Sequence, residues 1–168
     1  MRPALSILVA AILPLLGSSS WAEGGTDAAA LAKALPQATV SLDQALKASE
    51  REGAPISAKF EIEDGALQLS VYTMKAGKFS EVIVNHKSGA IAKSEPITGG
   101  DDMKAAQAQS AAMAKAKLAL DAAVGNAVKA NAGYRAVEIV PMLEGGRPVA
   151  SVTLMKGQDV RKATEKLD

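Results

Sequence analysis

Cysteine is absent from the 168 residues, histidine occurs once (His86), tryptophan once (Trp21), and tyrosine and phenylalanine twice each. Without a thiol there is no disulfide scaffold, no cysteine nucleophile and no thiolate zinc cluster. One imidazole cannot supply the two or three nitrogen ligands of the common transition-metal centres. A serine triad would need His86 as its base, yet His86 sits between Asn85 and Lys87 in a turn pattern, with no Gly-x-Ser-x-Gly elbow anywhere. Excess charge is missing too: 19 Lys and Arg face 18 Asp and Glu, so there is no electrostatic footprint for nucleic acid. What remains is 48% apolar and 22% charged, the composition of an ordinary globular chain rather than a disordered one.

A long hydrophobic run is also lacking. The longest, residues 4–17, is broken by Pro14 and falls short of the roughly 18 to 20 apolar residues needed to cross a bilayer. Preceded by Arg2 and followed by Ser20, Trp21 and Ala22, it has the three parts of a secretory signal peptide, with cleavage expected between Ala22 and Glu23. Residues 1–22 are therefore set aside, and a periplasmic location with no stable membrane anchor is expected. Arg2 is the one charged residue removed, so 18 basic groups then balance 18 acidic ones.

Beyond residue 27 the periodicity changes several times. Residues 28–35 and 42–50 read as short helices, the second entered through Ser41 and spacing Leu42, Ala45 and Leu46 along one face. From Ile56 the period is two, with Ile56, Ala58, Phe60 and Ile62 alternating against Ser57, Lys59, Glu61 and Glu63. Asp64-Gly65 and Ala76-Gly77 punctuate two further strands, and residues 90–95 suit a fourth. A long Ala-, Lys- and Gln-rich helix is expected over residues 102–131, with Gly125 inside it, followed by strands around Val137–Leu143 and Val149–Met155 and a weaker strand pattern over residues 158–167.

A shift of 81 residues superposes residues 56–75 on 137–156 without a gap, with Glu63, Gly65, Ser70, Val71, Met74 and Lys75 meeting identical residues. That agreement in identity and parity predicts a duplicated unit. The expected fold class is α+β: two tandem units, residues 27–98 and 99–168, each a helix packed on a small antiparallel sheet, after a cleaved signal peptide.

The order of a Leu42-Asp43-Gln44-Ala45 helix, an alternating strand, the Asp64-Gly65 turn, a strand and then Glu81-Val82-Ile83-Val84-Asn85-His86-Lys87-Ser88-Gly89-Ala90-Ile91 resembles the PepSY domain of secreted bacterial proteins and peptidase propeptides. Val84, Gly89 and Ile91 fit the family's short motif; Ser88 replaces threonine, and Asn85 stands where aspartate is usual. The resemblance covers residues 40–97 well and 102–168 loosely. It implies an inhibitory or regulatory peptide-binding module, with no catalysis and no cofactor. The expected partner is thus a protein or peptide of the periplasm, a peptidase that it restrains being one such partner.

Pro141 and Pro148 fall in the second unit's strands, where proline cannot donate to a ladder, so the open edge for an added strand is expected at residues 56–63. Ser57, Lys59 and Glu61 would face outward there and select the partner; the same charges also suit a strand guarded against edge pairing. The alternative function is a carrier or sensor of a small ligand or metal ion held between the units by oxygen donors such as Asp101 and Asp102. Those two aspartates suit the N-terminus of the long helix equally well, and no calcium-loop spacing follows them. The methionines Met74, Met103, Met113, Met142 and Met155 fit a core as readily as an adaptable groove.

Overall fold

The computed structural model describes residues 25–168, so the signal-peptide reading, with its cleavage between Ala22 and Glu23, lies outside the described residues. Helix α1 (Gly25–Ala34) runs into a 3-10 turn (Leu35–Gln37), and α2 (Leu42–Ser49) follows. Ser41 enters α2 as a capping box: Gln44 reaches back so that its Oε1 accepts from the Ser41 amide at 2.9 Å. Four strands come next, β1 (Ala54–Glu63), β2 (Ala66–Lys75), β3 (Lys78–Val84) and β4 (Ile91–Pro96). Helices α3 (Gly100–Met113) and α4 (Leu120–Ala130) then lead to β5 (Arg135–Glu144), β6 (Arg147–Lys156) and β7 (Asp159–Lys166).

All seven strands form one antiparallel sheet in the order β4-β3-β2-β1-β5-β6-β7, so the protein is α+β and its two halves share a sheet rather than holding one each. Asp64 and Gly65 both have positive φ, 50° and 77°, the geometry of the two-residue hairpin turn that Asp-Gly favours. The junction is narrow. β1 meets β5 through Ala58 opposite Ile139 and Lys59 opposite Glu138 alone, and the β1–β2 and β5–β6 ladders carry matching register shifts at Ile56 and Val137.

The ladder registers recur 81 residues apart. Ser57 faces Tyr72 as Glu138 faces Thr153, and Glu63 faces Ala66 as Glu144 faces Arg147. Lys75 likewise faces Lys78 as Lys156 faces Asp159. Ala58 and Ile139 are separated by the same 81 positions, so each strand at the junction pairs with its own counterpart.

One face of the sheet carries the core. Ala58 and Phe60 of β1, Leu69 and Val71 of β2, Val82 and Val84 of β3, Ile139 of β5, and Ala150, Val152 and Leu154 of β6 pack against α2, α4 and Leu31 of α1. From Ala58 onward the alternation delivers its apolar parity to these helices, whereas Ile56, expected on the same face, is turned to the other by the register shift between Pro55 and Ser57. The opposite face is covered only where α3 crosses it, placing Ala106 against Ile56 and Tyr72.

This corrects the single long helix expected over residues 102–131. α3 and α4 serve opposite faces of the sheet, so the chain must turn between them, and the amides of Lys117 and Leu118 are drawn off to the Leu167 carbonyl at 2.6 and 3.0 Å. Gly125 does not mark the break; it stays helical within α4.

Arg135 fastens the first half to the second. From the start of β5 its guanidinium donates to the carbonyls of Leu35, Ala38 and Val40 at 3.2, 2.8 and 2.6 Å, and it stacks 4.9 Å from the Phe60 ring centroid. Burial lowers its pKa below the usual arginine value. The same linker between α1 and α2 is held on its other side by the turn after β3, where the Thr39 and Val40 amides both donate to the His86 carbonyl at 3.0 Å.

Candidate functional site

The expected open edge at residues 56–63 is not there. β1 is the central strand of the sheet, flanked by β2 and β5, and the edges are β4 and β7. β5 occupies the side of β1 away from β2, pairing at Ala58 and Lys59, so residues 56–63 do not form a free edge. Pro141 lies just past the last β1–β5 pair and Pro148 is the second residue of β6, so both are accommodated inside the sheet without blunting an edge.

Ser57, Lys59 and Glu61 nevertheless lie together on the face away from the core. Ser57 is buried beneath α3 and donates to Gln109 Oε1 at 2.9 Å. Lys59 and Glu61 form an ion pair at 2.6 Å, and Glu61 also accepts from Ser70 Oγ at 2.9 Å. Burial is the largest single influence on the Lys59 ammonium and lowers its pKa, but the hydrogen bond to Glu61 and the charges of Glu61, Glu81 and Glu138 together outweigh it. Its pKa ends above the usual lysine value, so Lys59 is a fixed cation with no capacity to act as a base near neutrality.

Around this pair the uncovered half of the sheet is concave. A depression of about 450 Å³ is lined by Lys59, Glu61, Tyr72, Glu81, Glu95 and Asp102 among others. Two smaller ones adjoin it: about 170 Å³ under α3, reaching Gln109 and Glu138, and about 300 Å³ beside Glu95, Thr98 and Asp102. The phenol of Tyr72 donates to Asp102 Oδ1 at 2.9 Å, tying β2 to the first turn of α3. Burial first, then this hydrogen bond to a carboxylate, pushes the phenol pKa up, so Tyr72 remains protonated and serves as a donor. Glu138, also buried, accepts from Thr153 Oγ1 at 2.8 Å. Lys93 pairs with Glu95 at 2.8 Å, while Glu81 lies directly across from Glu95 in the β3–β4 ladder, a like-charge juxtaposition that opposes pairing.

Asp101 and Asp102 do not converge. Asp101 is exposed and pairs with Lys104 at 3.0 Å, whereas Asp102 turns to Tyr72. Among the described residues no three His, Cys, Asp or Glu side chains gather at metal-binding distance. His86 stands apart, in the turn after β3. There the side-chain oxygen of Asn85 accepts from the amides of Lys87 and Ser88 at 2.9 and 3.0 Å, which is the turn-forming work that aspartate would do at that position.

The core side of the molecule has a separate crevice of about 480 Å³ between α2, α4 and the start of β5, bordered by Leu42, Val124, Gly125, Val128, Tyr134 and Arg135. Sequence reasoning singled out neither this crevice nor the roles of Tyr72, Glu81, Glu138 and Arg135. For Tyr72 and Glu81 a signal existed, since strand parity puts both with Lys59. For Arg135 there was none, because its partners are carbonyls about a hundred residues away in sequence. Comparison with family models, with curated proteins and with solved structures found no match.

Proposed function

We propose that this chain is a secreted, non-enzymatic binding protein built from two tandem PepSY-like units, and that it holds a protein or peptide of the periplasm, a peptidase under restraint being the leading case. The observation that carries this reading is the uncovered concave face of β1 to β4, where Lys59, Tyr72, Glu81 and Glu95 are presented on a rigid sheet while the opposite face is sealed by helices. The tandem organisation is supported by the ladder registers that recur at the sequence offset of 81. The reading moves the contact surface from a strand edge to a sheet face and keeps Ser57, Lys59 and Glu61 within it.

The groups lining this face are committed to one another: Lys59 to Glu61, Tyr72 to Asp102, Lys93 to Glu95. Such a lattice orients donors and acceptors and offers a partner a preformed polar surface, which lowers the ordering cost of binding. The test is affinity capture from periplasmic extract. Glu81→Arg, which reverses the charge and enlarges a side chain lining the depression, is expected to lower recovery of the specific partner at least about tenfold, the equivalent of about 1.4 kcal/mol. Asn126→Arg, on the exposed surface of α4, should leave recovery unchanged. Equal recovery with both variants would remove the sheet face from the interface.

A second reading, a carrier of a small ligand, is favoured by the crevice between α2 and α4. Its size and its Leu42, Val124, Val128 and Tyr134 lining fall within the range of small-molecule sites. It no longer involves Asp101 and Asp102.

A further inference from the structure

The two halves of the chain use the same backbone fastening, to which the first half adds a bond from Thr39 Oγ1 to the Lys87 carbonyl at 2.6 Å and a titratable residue at the acceptor. In the first half the His86 carbonyl, just past the end of β3, accepts the amides of Thr39 and Val40, immediately before the Ser41 cap of α2. In the second half the Leu167 carbonyl, just past β7, accepts the amides of Lys117 and Leu118, immediately before the Ala119 cap of α4. His86 and Leu167 are counterparts at the repeat offset of 81. Leu167 is fully buried and cannot titrate; His86 is half-buried and can.

The surroundings of the imidazole resist a positive charge. Its Nδ1 is buried without a hydrogen-bond partner. The charges that bear on it are Lys87 of its own turn and Arg135 of β5, both cationic. Residues 35–41, the linker packed over the turn, contain no ionisable side chain; Asp43, in the first turn of α2, and Lys129 of α4 border the adjoining crevice. The one contact that favours the protonated ring is its own backbone carbonyl, which is the acceptor already holding Thr39 and Val40. A proton on His86 thus places a third positive charge beside Lys87 and Arg135 and sets the ring competing for the acceptor of the strap.

We propose that the turn after β3 is an acid-released latch: protonation of His86 detaches the Thr39–Val40 strap and loosens the wall of the crevice between α2 and α4. Thr39 and Arg135 both line that crevice, so release changes its shape directly. The direction follows from linkage. Burial first, and then Lys87 and Arg135, lower the pKa of His86 in the folded chain below its ordinary 6.5. The folded state therefore prefers the neutral ring, and the stability this group contributes is present above that value and lost as the pH falls through the lowered one.

The experiment is amide hydrogen exchange of the full mature chain, read as protection factors at about pH 7.5 and about pH 5, with His86 ring protonation followed by its own proton resonances. Protection of Thr39 and Val40 is expected to fall on acidification, severalfold or more, as the strap opens. Lys117 and Leu118 supply the internal control and should be unaffected. His86→Leu, which copies the second half, should abolish the acid response. Lys87→Gln should move it to higher pH by removing a repelling charge. The proposal is overturned if both straps lose protection together, if the response survives in His86→Leu, or if Thr39 and Val40 stay protected once the ring is protonated.

Discussion

Replacing Arg135 with alanine is expected to lower the folding stability by about 3 kcal/mol, read as a large drop in the urea midpoint without a change in slope. Three carbonyls, those of Leu35, Ala38 and Val40, lose a charged donor at once, and the Phe60 ring loses its stacked guanidinium. A hydrogen bond to a charged group contributes about 1.5 to 3 kcal/mol. The three act as one fork and share a single desolvation cost, so their sum is not expected. Arg135→Lys should recover less than half of the loss, because an ammonium cannot reach three acceptors spread over six residues in a fixed plane. A loss below about 1 kcal/mol would place Arg135 among ordinary surface charges and remove it as the fastening between the halves.

Phe60→Ala is expected to cost about 3 to 5 kcal/mol, the range for deleting a wholly buried aromatic side chain. Phe60 is 0% exposed, lies on the core side of β1 and carries Arg135 above its ring. Against a total of about 5 to 15 kcal/mol for a domain, this variant sits near the limit of folding. Because Phe60 and Arg135 touch, the double variant should lose less than the two single losses combined. Strict additivity would mean that the ring and the guanidinium do not work as a pair.

Much of the first half was legible in the sequence because local rules govern it. Asp64-Gly65 dictates a tight turn, the alternation from Ala58 fixes which side chains face α2 and α4, and Ser41 marks the start of a capped helix. The neighbour of β1 was not legible. Only two residue pairs join it to β5, and nothing in the parity of residues 56–63 distinguishes a central strand from an edge strand with one polar face. The break between α3 and α4 was equally hidden, since residues 114–119 contain neither glycine nor proline. It is set by the need to reach opposite sheet faces and by the Leu167 carbonyl, both of them tertiary. Gly125, the residue most suspect by propensity, is tolerated inside α4, where an added Cβ would meet nothing within 4 Å.

For the candidate site the pattern is similar. Parity correctly gathered Ser57, Lys59 and Glu61 on the side away from the apolar residues, because alternation in a strand is a local property. What those residues face depends on α3, whose path is not local: Asp102 meets Tyr72 across thirty residues, and Gln109 meets Ser57 across fifty-two. These contacts cover Ser57 and leave Lys59, Glu81 and Glu95 lining an open depression. Polar residues on a strand therefore identified a special face and not the geometry by which a partner would use it.

The central claim, that the concave face of β1 to β4 receives a protein partner, is tested most directly by photo-crosslinking in the periplasm with a photoreactive residue placed singly at Glu81, at Ser94 on the β4 edge, and at Asn126 on α4. A discrete adduct from position 81, weaker or absent from 94 and absent from 126, is the predicted result. Adducts from position 94 alone would mean that partners add to the sheet edge, and none from either position would contradict the binding face altogether.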